Sequence, residues 1–236
     1  MSVPEPRVIA IAGAAGGLGP VVAERLAADG HALALTDVNQ ERLEALASDL
    51  DLPPERHDER VVDLLDEDGT GEWAAALAER FGRVDTLLHL VGGWRGGEPL
   101  ATAPLADYEW LHDLLVHTVQ HTTRAFRDQL AESGNGRFVL ISSTQAQRPG
   151  AKNAAYGAAK AAAESWTLAL ADDLAHTGAT ANVVVVEAIL TPTMRAENPD
   201  KEYPSFTPAE HIAEAIAFLL SEGAERMNGQ RLALHQ

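Results

Sequence analysis

The chain has 236 residues, 46% hydrophobic and 22% charged, which suits one soluble α/β domain with a sizeable core. Its 35 acids against 18 lysines and arginines give a formal net charge of -17, which argues against nucleic acid or an anionic membrane as a partner. The absence of cysteine excludes disulfides and thiolate catalysis; no apolar run approaches the ~18 residues of a membrane span and Met1–Pro6 lacks a leader's basic and apolar regions, so the expected place is the cytoplasm.

The elements follow in order. Arg7–Ala12 reads as a short buried strand, and Gly13-Ala14-Ala15-Gly16-Gly17-Leu18-Gly19 follows it, opening into a helix over 17–29. In such a turn glycines let the backbone approach a pyrophosphate, and the free N–H groups and positive dipole end of the helix bind the anion. A second strand, 31–36, ends at Asp37, 18 residues after Gly19. An acid there can hydrogen-bond both hydroxyls of an adenine ribose and repels a 2'-phosphate; the plain alternative is a helix N-terminal acid before a helix over 39–50. A strand near 57–62, a helix at 70–81 and a strand at 84–91 come next, then a long helix over 107–132 and a strand at 137–142. The chain closes with a helix at 153–176, a strand at 181–186, a helix at 208–221 and a strand at 230–234. This alternation predicts a doubly wound parallel sheet of about seven strands with helices on both faces, in one domain spanning 1–236. Right-handed crossovers then put the ligand site beyond the carboxyl ends of the strands, where Gly13, Asp37, Gly92 and Ser143 fall.

The proton-transfer candidates lie late in the chain. Tyr156 and Lys160 are four residues apart in an alanine-rich stretch, thirteen positions after Ser143. On a helix this spacing puts both on one face, where the ammonium favours the ionised phenol; a tyrosine titrating near ~10 is otherwise a poor base. A lone Tyr-x-x-x-Lys is often only a helix face, so the pair gains meaning from the glycine turn and the acid that precede it.

These motifs together resemble the classical short-chain dehydrogenase/reductase family, and the resemblance covers essentially the whole chain. The family's Thr-Gly-x-x-x-Gly-x-Gly appears here as Ala12-Gly13-Ala14-Ala15-Gly16-Gly17-Leu18-Gly19. Its Asn-Asn-Ala-Gly is reduced to His89-Leu90-Val91-Gly92, its catalytic serine is matched by Ser143 rather than Ser142, and its Asn-x-x-x-Pro-Gly stands as Asn182 to Glu187 with Pro-Gly replaced by Val186-Glu187. Gly229-Gln230 resembles the closing Gly-Gln. The resemblance implies a Rossmann-type fold, NAD as cofactor and Ser143, Tyr156 and Lys160 as catalytic residues. It implies cofactor contacts from Gly13, Gly17, Leu18, Gly19, Asp37, Asp63, Leu64, Gly92, Tyr156, Lys160, Ile189 and Thr191, with Asp63 meeting the adenine amino group and Thr191 the carboxamide or phosphate. The implied activity is interconversion of a small-molecule carbonyl and alcohol by a homodimer or homotetramer.

The departures bear on mechanism. The family's water-holding asparagine in the long helix falls on Leu115 when counted backward from His121–Phe126 and on His117 when counted forward from Trp110. Leucine cannot hold a water by hydrogen bonding, whereas histidine can; if the position is Leu115, then Thr118 or His112, one turn away on the same face, takes over or the relay is absent, and Leu115→Asn is expected to raise turnover. His112, His117 and His121 match no carboxylate set, and no metal is expected. Trp94 lines a substrate pocket or packs in its loop, and 193–206, rich in proline and charge, sits where the family's substrate lid lies. Trp110, Leu114, Val119 and Trp166 are candidate subunit contacts. The altered motifs also keep a second class open, a dinucleotide-binding sensor or scaffold on the same fold.

Overall fold

The computed structural model describes residues 6–234; residues 1–5, on which the reading of no leader partly rests, lie outside the described residues. Seven strands, β1 (Val8–Ala12), β2 (Ala32–Asp37), β3 (His57–Val61), β4 (Thr86–His89), β5 (Arg137–Ser143), β6 (Thr180–Val186) and β9 (Arg231–Ala233), pair in parallel in the order β3-β2-β1-β4-β5-β6-β9. Strands such as Val8-Ile9-Ala10-Ile11-Ala12 are apolar at every position because both faces are covered. Ala10, Ala12, Leu87, Phe138, Leu140 and Val183 face one core, closed by α3 (Glu67–Phe81), α5 (Thr118–Glu132) and α6 (Ala154–Asp173). Trp73 and Phe126 meet edge-to-face there, at 4.9 Å between centroids. Ile9, Ile11, Leu33, Leu35 and Val139 face the other, closed by α1 (Gly19–Ala28), α2 (Gln40–Leu50) and α8 (Ala209–Leu220). The sheet order reverses at β1, so the crevice between the carboxyl ends of β1 and β4 is where a doubly wound sheet takes its ligand. No helix among the described residues is long and apolar enough to cross a membrane.

Three features differ from the sequence reading. First, the helix expected over 107–132 is α4 (Leu105–His112) and α5 joined by a π turn, Asp113–His117. The π turn adds a residue to the helical period, so the residues beyond it take other faces than an unbroken α-helix would give them. It also brings His112, Asp113 and His117 onto one face, with possible ligand atoms within 4.8 Å of one another, where the sequence showed no matched carboxylate. Second, a small parallel sheet of β7 (Ala188–Leu190) and β8 (Phe206–Pro208) brackets α7 (Pro192–Glu197) over the region read as a loop. Strands of three residues carry too little alternation to be seen in sequence. Third, Val119 is fully buried in the first core, so it is not available as a subunit contact, and Leu114 turns toward Gly93. Trp166 does stand out, 37% exposed beside a groove between α5 and α6.

Candidate active site

The glycine turn after β1 is built by steric necessity. Gly13 has φ +78°, and a Cβ on it would lie 2.8 Å from the Val91 nitrogen; a Cβ on Gly19 would lie 1.9 Å from the Ala14 carbonyl oxygen. The turn is thereby pressed against the β4 exit, and α1 starts with no side chain capping its N-terminus, which leaves an anion site. Asp37 ends β2 with its carboxylate accepting from Ala15 N (3.1 Å) on one oxygen and from Asn39 N (3.0 Å) on the other. This holds an acid at the lip of the turn.

Across the cleft, β5 delivers Ser142 and Ser143, and α6 delivers Tyr156 and Lys160. Gly157 allows α6 to approach the β5–α6 loop, since a Cβ there would lie 2.7 Å from the Gln145 carbonyl oxygen. Ser143 and Tyr156 are hydrogen-bonded to each other, whereas the Ser142 hydroxyl donates to Glu164 (2.5 Å), so Ser143 is the serine that meets the phenol. Burial raises the Tyr156 pKa and the Ser143 hydrogen bond partly offsets that. Lys160 is not the group that lowers it. The ammonium, buried and lowered to about 8 by desolvation, donates to the Ile141 carbonyl (2.8 Å) and stands 6.0 Å from the Tyr156 ring centroid.

These groups line one cavity of about 930 Å³. Of the residues singled out in the sequence, Gly13, Gly17, Leu18, Asp37, Asp63, Leu64, Gly92, Ser143, Tyr156, Lys160, Ile189 and Thr191 line it; Gly19 lies beneath the turn instead. The volume, the glycine cradle and the uncapped helix fit a dinucleotide. Thr191 caps α7, its hydroxyl accepting from Met194 N (3.2 Å), and its methyl lies where a Gly17 Cβ would come within 3.1 Å. Trp94 lines the cavity and donates its indole N–H to Asn153 (3.1 Å), which ties the β4–α4 loop to the start of α6.

Neither candidate for the asparagine position lines the cavity. Leu115 is buried among Leu111, Val116 and Ala159, and His117 points outward to pair with Asp113 (3.1 Å). The π stretch offers the cavity Leu114 and, beside it, Thr118. The Thr118 hydroxyl donates to the Leu114 carbonyl (2.6 Å) and meets His89 Nε2 (3.1 Å), while the other ring nitrogen meets the Thr122 hydroxyl (3.2 Å). Desolvation first, and Lys160 second, lower the pKa of the fully buried His89 to about 3, so the ring is neutral. Since Leu115 faces an apolar cluster, an asparagine there would bury an amide without partners, and the gain in turnover expected of Leu115→Asn loses its basis.

Sequence reasoning missed Arg42, Gln145, Asn153, Glu187 and Phe206, all of which line the cavity. Arg42 was legible only as a helix residue, held by its N–H to the capping Asn39 side chain (3.0 Å); its position five residues past Asp37 was the one available signal.

The family described as enoyl-(acyl carrier protein) reductase matches residues 13–235. The chain is 30% identical over 240 residues to levodione reductase of Leifsonia aquatica, covering 94% of this chain and 90% of that protein. A crystal structure of levodione reductase superposes with a TM-score of 0.86 at 29% identity, covering 97% of this chain and 96% of that one. A short-chain type dehydrogenase/reductase from Mycobacterium ulcerans has the same fold, with a TM-score of 0.89 at 24% identity over 99% of this chain and 90% of that one.

Proposed function

The chain belongs to the short-chain dehydrogenase/reductase family, oxidoreductases that use nicotinamide cofactors, and from that premise we propose that it interconverts a carbonyl and an alcohol with NAD, using Tyr156 as general acid/base. The observation that carries this reading is the meeting of Ser143, Tyr156 and Lys160 in the wall of the cavity that the glycine turn also lines. NAD, when bound, supplies or accepts the hydride. The Ser143 and Tyr156 hydroxyls, already hydrogen-bonded to each other, bind the substrate oxygen from one side and hold it in place. In reduction Tyr156 gives its proton to that oxygen; in oxidation the phenolate takes the proton back. Burial favours the protonated phenol, which suits the acid role, the Ser143 hydrogen bond offsets part of the cost of the phenolate, and the remaining N–H donors of Lys160 hold the nicotinamide ribose. Gly13, Gly17, Leu18 and Gly19 hold the pyrophosphate, Asp37 the adenine ribose, Asp63 and Leu64 the adenine, and Gly92, Ile189 and Thr191 the nicotinamide half.

A screen of NADH and NAD turnover over carbonyl and alcohol panels tests the reading. NAD binding with no turnover across the panels would move the assignment to a dinucleotide sensor, the reading that His89 and Val186-Glu187 in place of the family's residues favour. Cofactor choice follows from Asp37, whose charge opposes a 2'-phosphate, with Val38 rather than a cation after it. NAD is expected to bind at least tenfold tighter than NADP, roughly 1.4 kcal/mol. Arg42 lines the same cavity, so Asp37→Ala should narrow that gap, leaving the guanidinium to attract the phosphate. Titration showing NADP bound as tightly as NAD by the wild type overturns the choice.

The same proposal makes the protein a cytoplasmic homodimer or homotetramer. Its support is the apolar groove between α5 and α6, where Trp166 is 37% exposed. Sedimentation should give a multiple of the 25.1 kDa chain mass, and a monomer at every concentration would sink the idea.

A further inference from the structure

One turn beyond Lys160 on α6 sits a carboxylate that the reaction as described does not use. Glu164 is 1% exposed, yet its two oxygens accept four contacts: the Ser142 hydroxyl (2.5 Å), the Gln147 side-chain amide to both oxygens (2.6 and 2.6 Å) and Arg231 Nε (2.6 Å). The partners come from β5, from the loop after it, and from β9, 67 residues along the chain. Taking a carboxylate out of water costs several kcal/mol, and an apolar side chain of similar volume in such a place is often neutral or stabilising. The cluster therefore needs a reason beyond packing, and its neighbours supply one. Ser142 is bonded in the chain to Ser143, Gln147 belongs to the loop that carries Gln145 into the cavity, and Lys160 lies at i−4 on the same helical face.

We infer that Glu164 is a positioning residue whose buried negative charge keeps the Lys160 ammonium protonated and whose hydrogen bonds anchor the back of the Ser143 strand end. Lys160 needs such support. Around it stand Tyr156 on its own helix, neutral His89 at the end of β4 and the Ile141 carbonyl of β5, and the uncharged Ser142, Ser143 and Thr118 line the same cavity. Glu187 beyond β6 is exposed at the cavity wall, and Asp37 and Asp63 line the same cavity from the ends of β2 and β3. Glu164 is the anion whose field reaches Lys160, acting against the desolvation that lowers it to about 8. Arg231, 41% exposed, is paired with the Glu164 carboxylate and draws off part of that field. The arrangement is a charge train, Arg231 to Glu164 to Lys160, running from the surface edge strand β9 to the reacting end of the site.

The chain has three lysines, Lys152, Lys160 and Lys201, so carbon-13 labelling of lysine lets NMR follow the Lys160 side chain alone once Lys152→Arg and Lys201→Arg have assigned the other two signals. In the cofactor-free protein Lys160 is expected to titrate at about 8. Glu164→Gln should move that midpoint to lower pH by about one pH unit, since an opposite charge has been removed. Arg231→Gln should move it the other way, because the carboxylate then acts on Lys160 undivided. Ser142→Ala, which removes a hydrogen bond but no charge, should lower the melting temperature and leave the midpoint in place; a purely structural role predicts the same for Glu164→Gln. A folded Glu164→Gln protein with an unmoved midpoint overturns the inference. Should Glu164→Gln not fold, Arg231→Gln decides alone, and a midpoint that stays or falls overturns it. The bearing on catalysis rests on the role proposed above for Lys160, but the titration needs neither NAD nor substrate, so a failed turnover screen and a failed titration are separate results.

Discussion

Replacing Tyr156 by phenylalanine is expected to lower turnover by about 10²- to 10⁴-fold, the range that a positioned acid/base supplies, while NAD affinity changes little. The side chain lies partly buried against Leu111, Leu115, Val116 and Ala159, and phenylalanine keeps every one of those apolar contacts. What goes is a hydroxyl already paired with Ser143, so the substrate oxygen would have Ser143 alone and no proton source. Because the ring stays, Lys160 keeps its bond to the Ile141 carbonyl and the cofactor half of the cavity is undisturbed. Single-turnover measurement with whichever substrate the screen identifies, beside a binding titration, separates the two effects. Turnover within a few-fold of wild type would remove Tyr156 from the chemistry, and an equal loss of NAD affinity would make its role one of binding.

The second large effect is expected at Gly19, one of the named cofactor residues that does not line the cavity. A methyl there would lie 1.9 Å from the Ala14 oxygen and 2.5 Å from the Ala14 carbonyl carbon, and both are backbone atoms that cannot rotate away. Gly19→Ala must open the turn or shift the start of α1. We expect a stability loss of about 3 kcal/mol, as for an overpacked core position, and at least tenfold weaker NAD binding, about 1.4 kcal/mol. Gly30→Ala is the control: φ is +91°, no atom lies within 4 Å of the added methyl, and the residue sits between α1 and β2 away from the cavity. It should cost about 1–2 kcal/mol of backbone strain and leave NAD affinity alone. Thermal melts and fluorescence titration read both quantities. If Gly19→Ala melts and binds like wild type, the close contact is not what shapes the turn.

Lys160 shows how far one residue can be read before the fold is known. Its spacing from Tyr156 is written in four residues of sequence, and helical geometry alone puts the two on one face. Its burial, its bond to Ile141 and the depression of its pKa arise because α6 packs on β5, an arrangement between segments 19 residues apart in sequence. Spacing suggests that Lys160 depresses the phenol, but the same packing desolvates Tyr156 and raises its pKa, and the group that partly offsets this is Ser143. The asparagine position stayed open between Leu115 and His117 for a different reason: the two counts against the family's pattern differ by two residues, and spacing alone does not say which side chains of a helix broken by a π turn face the cavity.

Local pattern by itself determined the seven strands, five of the six expected helices and the parallel winding, because each signal is spent within a few residues: an apolar run for a strand covered on both faces, a 3.6 period for a helix, glycines for a turn that only glycine can make. It also determined the family, since the glycine turn and Tyr156-x-x-x-Lys160 are local motifs in a set order. Only the tertiary structure decided that the Ser142 hydroxyl turns away to Glu164, that Thr118 meets His89, that Arg42 shares Asp37's cavity, and that Glu164 joins Ser142, Gln147 and Arg231. Those facts depend on which side chains meet after loops of tens of residues close. No periodicity along the chain records that, because the contacts form between elements whose own patterns are already satisfied.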